Sequence, residues 1–221
     1  MGPFAILIKD WFAIMLYICL LVVAFSPFAD SVQTLYAQQD AEGLRHLLET
    51  AETREQEWLV RYRLYPLTED ASVVKGLPAE LEDGTPRELA LLAGLWAYRA
   101  GTASFLRAFR YGRRSVTFLE RAYKRAPQAP YVLLVRGQSL LFRPAIAGSD
   151  AEEAAQAFQR LVGILQSHPE AGISRTEAQS WQWLALRECG EADQARALHA
   201  DLLSRNPPPL YHQFLTDPPQ V

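Results

Sequence analysis

The chain has 221 residues, 49% of them hydrophobic, and a formal net charge of −3. That length is enough for one well-filled core, and that balance excludes intrinsic disorder and argues against a nucleic-acid binder. Ala, Leu, Arg and Glu dominate, and β-branched residues are sparse after residue 75, so an all-α fold is expected. The lone Asp83-Gly84 lies beside Pro86 in a loop rather than in a hairpin with alternating flanks.

Residues 11–25 (WFAIMLYICLLVVAF) carry no charge, Lys9 precedes them, and Pro27 breaks the run before a polar stretch with a small residue at Ala37. A basic start, apolar centre and small-residue exit is the order of a secretory signal, and cutting after Ala37 would leave Gln38 first. Asp10 cancels Lys9, so an uncleaved signal-anchor is the alternative, with a run near the lower length limit for a span. A buried core helix is the third reading. Either of the first two places the protein in the bacterial periplasm or anchored facing it. The residues before Cys19, LYI, are not the small pair of a lipoprotein site, so no lipidation is expected. Cys189 is the only other cysteine and is expected half-buried near a turn at Gly190.

After the leader (1–37), residues 38–66 read as a capping segment. Leu44, Leu48, Ala51, Trp58, Tyr62 and Tyr65 recur at helical steps, which predicts one long helix over 42–65 ended by Pro66. Residues 67–86 are rich in prolines, glycines and acids and read as a loop with room for a short helical turn. Helical hairpins are expected over 87–127, 130–169 and 176–207, followed by a Pro-rich tail at 208–221 that is free to fold back. Within the second hairpin, Gly148 suits a left-handed turn, and Ser149 with Glu152 or Asp150 with Glu153 offers a capping box.

The hairpins share one spacing. Ser115, Leu119, Ala122 and Pro127 sit four, three and five residues apart; Ala157, Leu161, Ile164 and Pro169 repeat this, as do Ala195, His199, Leu202 and Pro207. This resembles the second helix of a tetratricopeptide (TPR) unit, and Gly94, Ala97 and Gly137 match the first. The prolines are 42 and 38 residues apart rather than 34, and Trp183 stands where a small residue is usual, so the resemblance is to a divergent array. The P-x-x-x-G-S-D run at 144–150 is also similar to a loop of exported TPR proteins such as the T-components associated with TRAP transporters, although Ser149 replaces their second glycine.

The resemblance implies a short solenoid of stacked antiparallel hairpins that binds a peptide or helix in its concave groove. Carried over position by position, it places Leu91, Leu95, Tyr98, Tyr131, Leu134, Gln138 and Leu141 on the inner stripe. The same stripe could instead be buried by the N-terminal helix or the tail. An accessory subunit of a solute transport system is the first rival reading, and an enzyme on a helical scaffold the second.

No phosphate-binding, nucleophile-elbow or metalloprotease motif is present, and the four histidines, His46, His168, His199 and His212, fit no metal spacing. The expectation is therefore no enzyme, no cofactor and no metal. One charge cluster remains. Arg107, Arg110, Arg113, Arg114, Arg121, Lys124 and Arg125 face the single acid Glu120, with Phe105, Phe109, Tyr111 and Phe118 between them. An acidic protein segment or anionic lipid headgroups suit such a patch; a solvated helix face with Arg stems over apolar surface is the plainer account.

Overall fold

Residues 27–144, 148–167 and 172–221 are described in the computed structural model. The apolar run at 11–25, Cys19, His168 and Pro169 lie outside the described residues. Among those described, every regular element is helical: α1 (Pro27–Ala37), α2 (Ala41–Glu49), α3 (Arg54–Thr68), a 3-10 turn (Ala71–Val74), α4 (Pro86–Gly101), α5 (Phe105–Arg125), α6 (Pro130–Phe142), α7 (Ala151–Ser167), α8 (Arg175–Glu188), α9 (Ala192–Ser204) and α10 (Pro209–Thr216).

The single helix expected over 42–65 is two helices. Thr53 breaks it, because its hydroxyl accepts from the Gln56 amide while the Gln56 side chain caps the Thr53 backbone, a reciprocal box that starts α3 afresh. Pro66 does not end α3. The Thr68 hydroxyl and the Glu69 amide satisfy the Leu64 and Tyr65 carbonyls at 3.1 and 2.8 Å, so the helix runs to Thr68 before a left-handed cap at Glu69. The tail also forms a helix: Pro209 opens α10, a position where its missing amide hydrogen costs nothing.

Helices α4 with α5, α6 with α7, and α8 with α9 pack as consecutive hairpins, and α4, α6 and α8 stand side by side. The residues that share a spacing are those that join each hairpin. Ser115 donates to the Ala93 carbonyl at 2.8 Å, Leu119, Ala122, Ala157, Leu161, Ala195 and Leu202 are buried, and the His199 ring stacks on Trp183 at 4.9 Å. His199 is half-buried, and its Nε2 lies 3.0 Å from the Leu215 carbonyl. Cys189 is half-buried at the end of α8, beside Gly190 at φ +86°. In the loop before α7, the cap is the Asp150 carboxylate, which accepts from the Glu153 amide at 2.8 Å after Gly148 turns at φ +83°.

The segment at 67–86 is an ordered strap across α4 and α5. Val73, Val74, Leu77 and Leu81 are buried, Trp96 Nε1 donates to the Pro78 carbonyl at 3.1 Å, and Arg121 and Arg125 donate to the Leu81 and Gly84 carbonyls. Helix α1 packs against α3, and α10 against α8 and α1, so the two ends of the described chain meet. The Gln33 amide lies 2.6 Å from the Tyr211 hydroxyl, and Gln39 bonds Gln213.

The α6–α7 contact depends on the absence of a side chain at 137, where a Cβ would sit 2.4 Å from the Phe158 ring, itself fully buried. Gly137→Ala is expected to cost about 1–3 kcal/mol in denaturant unfolding, overpacking outweighing the gain of roughly 1 kcal/mol in helix propensity. A stability equal to wild type would show that Phe158 moves aside freely.

Candidate functional site

Helices α4, α6 and α8 present a stripe of side chains, and α3 packs on it, against α4 directly and against α6 and α8 through Tyr62 and Arg63. Leu91, Leu95 and Leu134 are 0% exposed, Tyr131 1% and Leu141 2%, with Tyr98 and Gln138 half-buried. The seven residues expected to line an open groove therefore line a filled one. Their occupant is named by its contacts: Tyr62 closes on Gly94 and hydrogen-bonds Gln138, and Tyr98 stacks between Tyr62 and Tyr65 at 5.5 and 4.7 Å. At the head of the stripe Arg54 Nε donates to Glu88 at 2.9 Å, while Glu88 also accepts from the Thr85 amide. Partial burial pushes the Glu88 carboxyl up, but the bonds from Arg54 and Thr85 hold it below its ordinary range.

The centre of the stripe is polar. Arg63, from α3, meets Glu177 of α8 as a fork on a carboxylate, with N–O distances of 2.5 and 3.0 Å, and both side chains are 1% exposed. Glu177 sits in the first turn of α8 because Ser174 caps that helix. The rings of Tyr36, Tyr62 and Tyr131 surround the guanidinium at 4.8, 5.4 and 5.9 Å. Gly172 completes the cluster. Its carbonyl accepts from Arg63 and from the Tyr131 hydroxyl, both at 2.7 Å, and only glycine suits the place: φ is +89° and a Cβ would lie 2.5 Å from the Tyr131 oxygen.

Burial raises the Glu177 carboxyl against the opposing pull of Arg63; burial works against the Arg63 charge too, and Glu177 together with Tyr131, Tyr36 and Tyr62 more than offsets it. Such groups in a cleft would suggest acid–base chemistry. Here they are spent on one another. The carboxylate oxygens are held by the guanidinium, the Gly172 carbonyl is doubly bonded, and neither charged group reaches solvent. The arrangement ties α3 to α8 rather than receiving a substrate. Among the described residues no group of three or more His, Cys, Asp or Glu could hold a metal ion.

The basic cluster separates into two parts. Its C-terminal part is used by the fold, since Arg121 and Arg125 hold the 67–86 strap and Arg114 lies over the Trp96 ring at 4.9 Å, as Arg99 does at 5.0 Å. Its N-terminal part, Arg107 to Arg113, is not. From Phe105 to Arg114 no residue of α5 is buried, and Phe105, Leu106 and Phe109 are 87, 81 and 67% exposed. Those three belong to the five exposed large hydrophobic residues among the described ones, and they are the only adjacent group. Arg107, Arg110, Arg113 and Arg114 pair with no carboxylate among the described residues; Arg110 instead lies beside the Tyr111 hydroxyl and draws that phenol below its ordinary range. A cleft of about 440 Å3 runs along this part between Glu80, Phe109, Arg110, Arg113, Thr117 and Arg121. The interleaved aromatic and basic residues were legible in the sequence; which of them the strap would consume was not.

Comparison with known proteins found no matching family model, no similar curated protein and no similar solved structure. Among the described residues no helix is long and apolar enough to cross a membrane.

Removing one member of the Arg63–Glu177 pair strands the other charge in the core. Arg63→Met is expected to lower unfolding stability by about 3–5 kcal/mol, and the double variant Arg63→Met, Glu177→Met to recover much of it. Denaturant midpoints of wild type, both single variants and the double variant test this; a loss below about 1 kcal/mol for the single variant would deny the pair its role.

Proposed function

We propose that the protein is an interaction module on the extracytoplasmic side of a membrane: a divergent TPR-like scaffold that docks through the free end of its α4–α5 hairpin. The observation that carries this reading is the exposure of Phe105, Leu106 and Phe109 on a helix whose neighbouring arginines pair with no acid among the described residues. An apolar patch rimmed by charge marks a docking surface. Groove capture of a peptide or helix is the weaker form of the proposal, because α3 fills the stripe that would receive it. Leu91→Asp or Leu134→Asp puts a charge at a fully buried position and is expected to unfold the protein.

The apolar run at 11–25 supports the membrane location. Of the two ways the leader was read, retention of the segment after it fits the fold better than a cut after Ala37. Ala29, Val32 and Tyr36 are 3, 0 and 9% exposed, and Tyr36 lies over the Arg63 guanidinium. A cut after Ala37 would remove all three, at about 1.5–3 kcal/mol for each large side chain. The native protein is thus expected to retain α1, which mass spectrometry of its N-terminal peptide checks; a mature start at Gln38 would refute it.

Docking is tested in cells with a photoactivatable benzoylphenylalanine in place of Phe105, and as a control in place of Asp193, which is 92% exposed on α9. Adducts are expected at 105 and not at 193. No adduct at 105 would overturn the hairpin end as the working surface.

A further inference from the structure

The chemistry of the hairpin end goes further than exposure and indicates what it docks on. At 100° per residue, Phe105, Leu106 and Phe109 occupy a single arc of about 100°, and Arg113 falls on the same arc one turn later. Arg110, Arg114 and Arg107 follow along one side of it. The apolar group is therefore confined to the outermost turn of the helix, and cations begin within that turn and continue inward toward the body of the protein.

Charge is distributed just as unevenly. Helix α5 carries seven cations against one acid in a chain whose net charge is −3, so the rest of the molecule is distinctly acidic. The first turn of α5 holds Arg107 and no acid, and its N-cap residue Ser104 makes no side-chain cap bond. A cation there opposes the helix dipole, and an anion brought from outside relieves the conflict. The adjoining cleft is lined by Arg110, Arg113, Arg114 and Arg121 with Phe109 and Phe118, so four guanidinium groups outnumber its single acid, Glu80.

We infer that the α4–α5 hairpin end is an interfacial anchor for anionic phospholipid. Phe105, Leu106 and Phe109 enter the headgroup–acyl boundary, and Arg107, Arg110 and Arg113 hold the phosphates above them. An apolar tip followed by a collar of arginines is the order in which a bilayer presents itself, hydrocarbon first and phosphate next. A protein partner would have to offer an apolar pocket with an acidic rim at matching depth. This inference rests on the docking reading above and supplies its occupant.

The test uses the full chain with benzoylphenylalanine at 105 or 193, reconstituted with vesicles of phosphatidylcholine alone or mixed with phosphatidylglycerol. Lipid adducts are expected at 105 on the mixed vesicles. They should fall about tenfold or more on phosphatidylcholine, at high salt, or when Arg107, Arg110 and Arg113 are changed to Gln, each cation near an anionic surface being worth about 1 kcal/mol. These three side chains make no ion pair with a carboxylate among the described residues, and circular dichroism of the variant is the control that it remains helical. Equal yields on neutral and anionic vesicles, or equal yields at 105 and 193, would overturn the inference. A protein adduct at 105 in cells with no lipid adduct on vesicles would overturn the lipid and leave the docking surface standing. No adduct of either kind would remove both.

Discussion

One ion pair fixes how the parts of this molecule relate. Arg63 and Glu177 are separated by 114 residues, join α3 to α8 and are 1% exposed. Taking two charges out of water costs several kcal/mol each; the fork on the carboxylate and the bond to the Gly172 carbonyl offset that cost, while Arg63 Nε stays buried without a hydrogen-bond partner. The constraint reaches outward from there. Ser174 must cap α8 to present Glu177, Gly172 must turn to present its carbonyl, and Tyr36, Tyr62 and Tyr131 must close over the guanidinium. Apolar packing alone would let α3 slide along the stripe. A buried fork on a carboxylate gives it one position.

Burial along the stripe was legible in the sequence. Leu91 and Leu95 on α4, and Tyr131 and Leu134 on α6, are all buried, but so are all residues from Glu88 to Trp96 and from Tyr131 to Val135, so burial does not single out one face. What covers them was not legible, because periodicity reports that a face is buried without saying what buries it. The long-helix reading of 42–65 failed for a related reason. Thr53 interrupts no apolar repeat, and its capping box with Gln56 is a local bond that period-counting passes over. Helix α1 was hidden by its neighbourhood: a polar stretch after an apolar leader reads as an exit region, yet Ala29, Val32 and Tyr36 are spaced three and four apart and belong to the core.

The basic stretch shows the same limit from the surface side. Seven cations in twenty-one residues read as one patch, but the carbonyls of the 67–86 strap take Arg121 and Arg125, and Trp96 takes Arg99 and Arg114. A segment that reads as a loop thus takes two of the seven cations, Arg121 and Arg125. Those from Arg107 to Arg113 are left at the end of a hairpin, next to apolar residues that none of the described elements buries.

Helices α1 and α10 touch through Gln33 with Tyr211 and Gln39 with Gln213, pairs 178 and 174 residues apart in the chain. Stacked hairpins ordinarily touch only their neighbours, so they gain or lose units at an end and their folding spreads from any starting point. Here the first and last of the described helices clasp each other and both border the Arg63 cluster, which ties the ends of the described hairpins together. Such a closure raises contact order: the final packing waits until the C-terminal residues have emerged, and the chain gains order as one unit instead of hairpin by hairpin. Any length of the chain that lacks α10 lacks the contacts that hold α1 from the far side, so truncation at one end loosens the other.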